Sequence, residues 1–314
     1  MKIKIGISAC LLGEKVRYDG QHKLDHFLKD TLGQFVEWIP VCPEVECGLS
    51  VPREAMRLEG DPAAPRLMTI RTRVDLTEKM HSWTLRRIKE LEKEELCGYV
   101  FKSKSPSSGM ERVKVYNDKG VPRKVGSGLF AKAFMERFPE LPAEDEGRMH
   151  DPVLRENFIE RAFVFSRWKD FAKDAPSVNG LVQFHSKHKL LIMSHSPKIL
   201  KDLGNIVASA GKSGKPELFD EYLKILMGAL KLRATVKKNV NVLQHIAGYF
   251  KKLLTPDEKK EVAEIIGNYH KGFAPLIVPV TLLNHYVRKY DQEYLKEQYY
   301  LNPHPVELAL RNHV

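Results

Sequence analysis

Within Cys42-Pro43-Glu44-Val45-Glu46-Cys47 two cysteines and two carboxylates stand close together. Thiolates bind soft metals and a neighbouring carboxylate can move a proton, so the stretch reads as a reactive site. The alternative is a buried pair of small apolar thiols in a loop. Cys10, in Ala9-Cys10-Leu11-Leu12-Gly13, and the polar loop Ser103-Lys104-Ser105-Pro106-Ser107-Ser108-Gly109 are the other candidates.

The elements that must position these residues follow from local pattern. Ile3, Ile5 and Ile7 alternate in a strand from Lys2 to Ser8, which ends at Cys10. Arg17-Tyr18-Asp19-Gly20 reads as a turn, and a helical stretch near Lys23 to Leu32 precedes a strand over Phe35–Ile39, with Pro40 marking where pairing should stop. A short strand near Leu67 to Arg71, a helix from Thr77 to Leu96 and a strand over Gly98–Lys102 form a second unit that runs into the serine loop. Parallel strands place their carboxyl ends on one edge, so Cys10, the Cys42/Cys47 pair and the serine loop are expected to converge, while Cys97 lies at the amino end of its strand on the opposite edge. Three convergent thiols without a Cys-x-x-C argue against a closed four-ligand zinc site and for a cluster with an open position. The fold class expected is α/β, a Rossmann-like parallel sheet followed by an all-α domain.

After a strand at Val113–Tyr116, Gly126-Ser127-Gly128 opens a helix from Leu129 to Phe138; such a start is either a plain N-cap or a phosphate site. No Gly-x-Gly-x-x-Gly or Walker loop is present, so no nucleotide cofactor is expected. Residues 1–138 are read as the first domain, and 139–177 as a Pro/Glu-rich link with a connecting helix that Asp151-Pro152 starts and Ala175-Pro176-Ser177 closes. Residues 178–314 form the helical domain, with segments over Leu181–Ser194, Lys198–Ala210, Glu217–Leu232, Ala234–Leu254 and Asp257–Tyr269.

A chain of 314 residues with 43% apolar and 29% charged residues fits a globular protein of two domains. The start, Met1-Lys2-Ile3-Lys4-Ile5, lacks the long apolar region of a secretion signal, and the longest apolar run, Leu276–Leu283, is too short to span a bilayer. A cytoplasmic protein with no membrane partner is the expectation, its four cysteines thiols or metal ligands rather than disulfides. From Val178 onward 20 Lys/Arg face 12 Asp/Glu, so this part carries +8 of the net +11, along with eight of the twelve histidines. A polyanionic partner for the helical domain is expected, contacted by His188, Lys189, Lys237 and Lys238. His185, His188 and His195 lie on one expected helix face, read as solvated or RNA-facing rather than metal-binding. Tyr290, Tyr294, Tyr299 and Tyr300 either stack on bases or pack.

Ser8-Ala9-Cys10-Leu11-Leu12-Gly13, Arg17-Tyr18-Asp19-Gly20, Val41-Cys42-Pro43-Glu44 and Lys104-Ser105-Pro106-Ser107-Ser108-Gly109 resemble, in order, the motifs of the TudS-like thiouracil desulfidase family. Phe184-His185-Ser186-Lys187-His188-Lys189, Asn241-Val242-Leu243-Gln244-His245-Ile246 and Tyr300-Leu301-Asn302-Pro303-His304-Pro305 resemble a YbgA-like helical domain. The combination is similar to the fused RudS-type desulfidases, associated with 4-thiouridine in tRNA. The resemblance implies a 4Fe-4S cluster held by three cysteines, with Glu44 and a serine of the Ser-Pro-Ser loop in catalysis. The family often has cysteine where this chain has Ser108, so Cys10, Cys42 and Cys47 are taken as the ligands. The chemistry expected is hydrolytic removal of sulfur, with Glu44 activating water and Ser105, or in its place Ser103 or Ser107, holding the base or relaying a proton. Tight tRNA binding falls to the helical domain. Two other readings are a desulfidase of free thiouracil and a non-catalytic iron–sulfur regulator that binds nucleic acid.

Overall fold

The computed structural model describes residues 2–173, 176–213 and 217–313; Ala175, expected to close the connection between domains, lies outside them. The chain divides into two compact units, Met1–Phe158 and Ile159–Val314.

The first unit is built on a parallel sheet of β1 (Ile3–Ser8), β2 (Val36–Val41), β5 (Gly98–Phe101) and β8 (Ala143–Asp145) in the order β2-β1-β5-β8. The chain moves from β1 to one side, then to the other, which makes the carboxyl end of β1 a topological switch point, where α/β sheets bind ligands. Pairing does not stop at Pro40: Ile7 lies opposite Pro40 and Ser8 opposite Val41. An edge strand tolerates a proline whose missing N–H faces away from the ladder, and β2 is an edge. The Pro/Glu-rich segment expected to be a link instead carries β8, with Glu144 and Asp145 buried. Its pairing with Tyr99, Val100 and Phe101 is non-local, which a three-residue strand does not announce. Where a helix was expected near Lys23 to Leu32 there is one π turn, Phe27–Thr31, and one 3-10 turn, Leu32–Gln34.

A second, mixed sheet joins two hairpins, β3 (Met56–Glu59) with β4 (Arg66–Thr69) and β6 (Val113–Tyr116) with β7 (Pro122–Gly126), in the order β4-β3-β6-β7. The strand expected after Leu67 therefore belongs here and not to the parallel sheet. Three helices complete the layers: the one-turn α1 (Pro43–Glu46), α2 (Thr77–Leu91) and α3 (Leu129–Arg137). Tyr99 and Phe101 share a face of β5 and pack on Phe130 and Phe134, one turn apart on α3, with ring centroids 4.7 to 6.3 Å apart. Gly6 makes room for this, since a Cβ there would stand 2.2 Å from the Tyr99 ring. Each such ring contributes about 1.5–3 kcal/mol by burial, and together they fix α3 against the sheet.

Helix α4 (Pro152–Ala172) runs through the boundary of the two units, started by Asp151, whose Oδ1 accepts from Val153 and Leu154 N–H. Beyond it the second unit is helical among the described residues: α5 (Val178–His195), α6 (Pro197–Ser213), α7 (Glu217–Leu230), α8 (Val236–Tyr249), α9 (Pro256–His270), α10 (Ile277–Lys289) and α11 (Glu293–Lys296). Ser177 and Thr255 cap their helices, Thr255 in a full capping box with Glu258. The apolar run read from Leu276 becomes α10, which no segment in the sequence reading covers. Pro279 is its third residue, where a missing N–H costs no intrahelical bond. No helix among the described residues is long and apolar enough to cross a membrane. The chain thus carries an α/β domain followed by a helical one.

Candidate active site

Three strand ends meet on a cavity of about 430 Å³, lined among others by Cys10, Cys42, Glu44, Arg53, Ser105 and Ser108. Cys10 sits in the 3-10 turn Ala9–Leu12 that follows β1, and Gly13, at φ 94°, ends that turn in the left-handed region. Cys42 is the N-cap of α1, with Pro43 in the first helical position, pre-set in φ. Glu46 reaches back to accept from the Cys42 N–H at 2.8 Å and pairs with Arg87 at 3.1 Å. That leaves Glu44 to turn inward.

The serine loop is held from two sides. The Ser105 hydroxyl oxygen accepts from the N–H groups of Ser107 and Ser108, at 3.3 and 3.1 Å. The start of α3 closes on the loop: Gly128, Leu129 and Ala131 donate their N–H groups to the carbonyls of Gly109, Pro106 and Ser107. The phosphate reading of this helix start is therefore overturned, since the loop takes its donors. Gly128 is required there because a Cβ would lie 2.4 Å from the Ser107 carbonyl.

Glu44 collects the contacts a proton-moving group needs. Ser107 Oγ donates to its Oε1, Cys42 Sγ donates to its Oε2 at 3.5 Å, and an Arg53 guanidinium nitrogen lies 3.8 Å from the same oxygen. Ser105 Oγ lies 2.9 Å from Ser107 Oγ; with its own oxygen engaged by two N–H groups, its proton goes to Ser107, which makes a chain Ser105 to Ser107 to Glu44. Ser103 is occupied elsewhere, donating from N–H and hydroxyl to Glu146, which also pairs with Lys102. Sequence reasoning missed Arg53 and the distinction of Ser107. Arg53 donates to the Val16 carbonyl at 3.0 Å and spans the Cys42 loop and the Arg17-Tyr18 turn. The Ser50-Val51-Pro52-Arg53 segment offered no periodicity that singled it out.

Both cavity cysteines are thiols in this environment. Burial pushes Cys10 up to about 11 and Cys42 up to about 12, the second helped by the Glu44 charge. A soft cationic group would draw their protons off and take two sulfur ligands from one wall. Cys47, expected as the third ligand, is not among the lining residues; its Sγ donates to the Glu44 carbonyl at 3.2 Å. The reason is geometric. Cys42 and Cys47 cap opposite ends of a single turn, five residues apart, so they leave its axis about 140° apart at 100° per residue. Ser108 lines the cavity in its place. Cys97 is buried at the amino end of β5, away from the site, beside its Glu95 carbonyl contact at 3.7 Å. The donor set fits a cluster at two thiol positions, Cys10 and Cys42, and among the described residues no three His, Cys, Asp or Glu side chains are grouped for a metal ion.

The residues expected to touch nucleic acid fare unevenly. His188 is 1% exposed, bonded through Nδ1 to the Phe184 carbonyl at 2.7 Å and stacked between Phe184 and Tyr299, so it faces no partner. His185 and His195 are buried as well, the latter against Glu160 at 2.6 Å, which corrects the exposed-face reading. The periodicity was that of a core face, and polar residue type disguised it. Lys238 donates to the carbonyls of His195 and Arg233, ending α5. Lys189 and Lys237 remain exposed. Tyr300 is fully buried, Tyr299 lies under Arg167 at 3.8 Å, and Tyr290 and Tyr294 stack on Tyr286 and Tyr249.

Residues 5–146 match the model of the 2-thiouracil desulfurase family, and residues 189–305 match that of a family of unknown function, DUF1722. Over 133 residues the chain is 29% identical to the uncharacterized protein YbgA of Escherichia coli (strain K12), covering 42% of this chain and 79% of that protein. The chain joins a thiouracil desulfidase-like domain to a YbgA-like domain. Among solved structures, that of a [4Fe-4S]-dependent thiouracil desulfidase, TudS, is 30% identical and covers 48% of this chain and 95% of its own, with a TM-score of 0.39. The cavity lies wholly within the desulfidase-like domain, and the buried His195 lies within the residues that match DUF1722.

Proposed function

We propose that the protein is an iron–sulfur-dependent desulfidase that converts 4-thiouridine in tRNA to uridine, releasing sulfide, in the cytoplasm. The observation that carries the reading is the cavity that brings Cys10, Cys42, Glu44 and Ser105 together within the desulfidase-like domain. Cys10 and Cys42 would hold a 4Fe-4S cluster, with the third protein ligand drawn from Ser108 on the wall or Cys47 beside it. The cluster supplies a soft Lewis acid for the thiocarbonyl sulfur.

The chain's own groups account for the rest. Glu44 accepts a proton from water as that water adds to C4 of the base, and the C–S bond breaks with sulfide leaving. Ser107 fixes one carboxylate oxygen, which aims the other at the cavity, and Arg53 balances the negative charge beside it. The Ser105 to Ser107 chain lets a proton pass without either hydroxyl leaving its place. A cavity of about 430 Å³ takes one base and not a stacked helix, so the nucleotide must be extruded. Lys189 and Lys237, exposed on a domain with a strong positive balance, support a role for that domain in holding RNA by its phosphates.

Free thiouracil is the second reading, favoured by the name of the solved structure the chain is similar to. Anaerobic incubation of the cluster-loaded protein with bulk tRNA, followed by nucleoside analysis, decides. Loss of 4-thiouridine with matching gain of uridine is expected. Unchanged nucleosides alongside turnover of free thiouracil would overturn the tRNA reading, and tight RNA binding without any turnover would favour a regulator.

A further inference from the structure

The charge asymmetry of the sequence directs attention to the helical domain, yet a basic groove lies in the desulfidase-like domain and opens on the cavity itself. This groove, about 790 Å³, shares Met56, Ser103, Lys104 and Pro106 with the cavity wall. Its cationic lining is Arg57, Lys104, Arg112, Lys114, Lys124 and Arg148, against two acids, Glu111 and Asp145. Arg57 is paired with Glu59 and Arg148 with Glu144 and Glu111. Lys104, Arg112, Lys114 and Lys124 are exposed and have no ion-pair partner among the described residues.

The register of the mixed sheet makes this arrangement costly by itself. Lys114 on β6 stands directly opposite Lys124 on β7. Arg57 on β3 comes one residue before the Leu58–Val115 pair, so it runs alongside Lys114. Leu58 and Val115 point to the buried face, which puts all three cations in one row on the other face. Like charges directly opposite destabilise a sheet, and while Glu59 offsets Arg57, no carboxylate among the described residues pairs with Lys114 or Lys124. An anion along the groove would.

We infer that this groove is the track for the phosphates of the RNA strand flanking the thiolated nucleotide, with Lys114 and Lys124 as its central contacts. The inference rests on the proposed action on tRNA and adds where the strand runs. A base delivered into the cavity remains attached to ribose and phosphate on both sides, and its backbone must leave over the rim. The groove shares that rim, so the phosphates next to the reacting base would meet Lys104 first and the Lys114–Lys124 row beyond it. A free base would have no use for it.

The test uses the full-length, cluster-loaded protein and a short fluorescent RNA, with and without 4-thiouridine, titrated over a potassium chloride series. Lys114→Gln with Lys124→Gln should weaken binding about tenfold at low salt and shallow the log–log salt slope by about 1.4, as loss of two phosphate contacts on a single strand requires. The charge-reversed pair, Lys114→Glu with Lys124→Glu, should weaken it further. Thermal melting should show the neutral pair at least as stable as the parent, because cross-strand repulsion is relieved. Unchanged affinity and slope in both variants would overturn the inference, as would poly-glutamate of equal charge binding as tightly through the same lysines, which would mark a docking face for acidic protein. The two readings fail separately. Binding through the lysines without change in nucleosides leaves the track standing and removes the desulfidase; desulfuration indifferent to the lysines does the reverse.

Discussion

The two units handle polar side chains in opposite ways. In the desulfidase-like domain the motif residues converge on a cavity, with thiols, a carboxylate and hydroxyls facing open space. In the helical unit His185, His188 and His195 face inward and are held by neighbouring groups. Glu160 on α4 is buried, accepts from His195 at 2.6 Å and meets Arg311 at 3.5 Å. Burial works against its charge, and His195 and Arg311 outweigh it, holding the carboxyl below its ordinary range. Arg311 donates to the Tyr300 carbonyl, and Arg167 to the Pro303 carbonyl, so this network ties the carboxyl-terminal segment to α4 and α5. The same polar residue types thus build a reaction site in one unit and an internal fastening in the other. What separates them is whether the surrounding elements leave a space.

The contrast breaks most sharply at the thiols. Cys10→Ala and Cys42→Ala should each abolish iron binding and the brown colour of anaerobically loaded protein, whereas Cys97→Ala should leave both intact. Cys47→Ala should cost less iron than either cavity cysteine, because its sulfur does not line the cavity. Equal loss in the Cys47 and Cys42 variants would show that α1 rearranges around the cluster.

Glu44→Gln comes next. It preserves volume and hydrogen bonding but takes up no proton, so turnover should fall on the order of 10²-fold while iron content and RNA binding hold. A fully active, iron-loaded variant would rule out Glu44 as the base.

The smallest effect separates the units by pH. Burial holds His188 down to about 3, and His185 and His304 to about 4, so these rings are neutral when folded. The unfolded chain takes up their protons below about 6.5, so the stability they contribute is complete above that pH and is lost as pH falls towards 4 and 3. In the desulfidase-like domain, Glu59 is held at about 2, chiefly by its hydrogen bonds from Arg73 and then Arg57. Its contribution is present above about 4.5 and lost only as pH falls towards 2. Hydrogen exchange on acidification should therefore open α5 before the mixed sheet; simultaneous opening would contradict the division.

Much of this was legible in sequence because it rests on local signals. Alternating Ile3, Ile5 and Ile7, the apolar run before Cys42 and the strand before the serine loop are enough to place three strands. The rule that parallel strands share a carboxyl edge then brings Cys10, Cys42 and Ser105 together and sends Cys97 away. The helix start at Asp151 was equally readable. Tertiary structure decided what depends on a distant partner. β8 exists because β5 offers it an edge, and the row of cations exists only through the register of three strands. Cys47 is turned from the cavity by one helical turn, and Ser107 rather than Ser105 meets Glu44 because α3 clamps the loop that carries both. Histidines at helical spacing looked like a wet face and proved to be a core face, because a side chain's periodicity says which residues share a side and only its neighbours say what covers it.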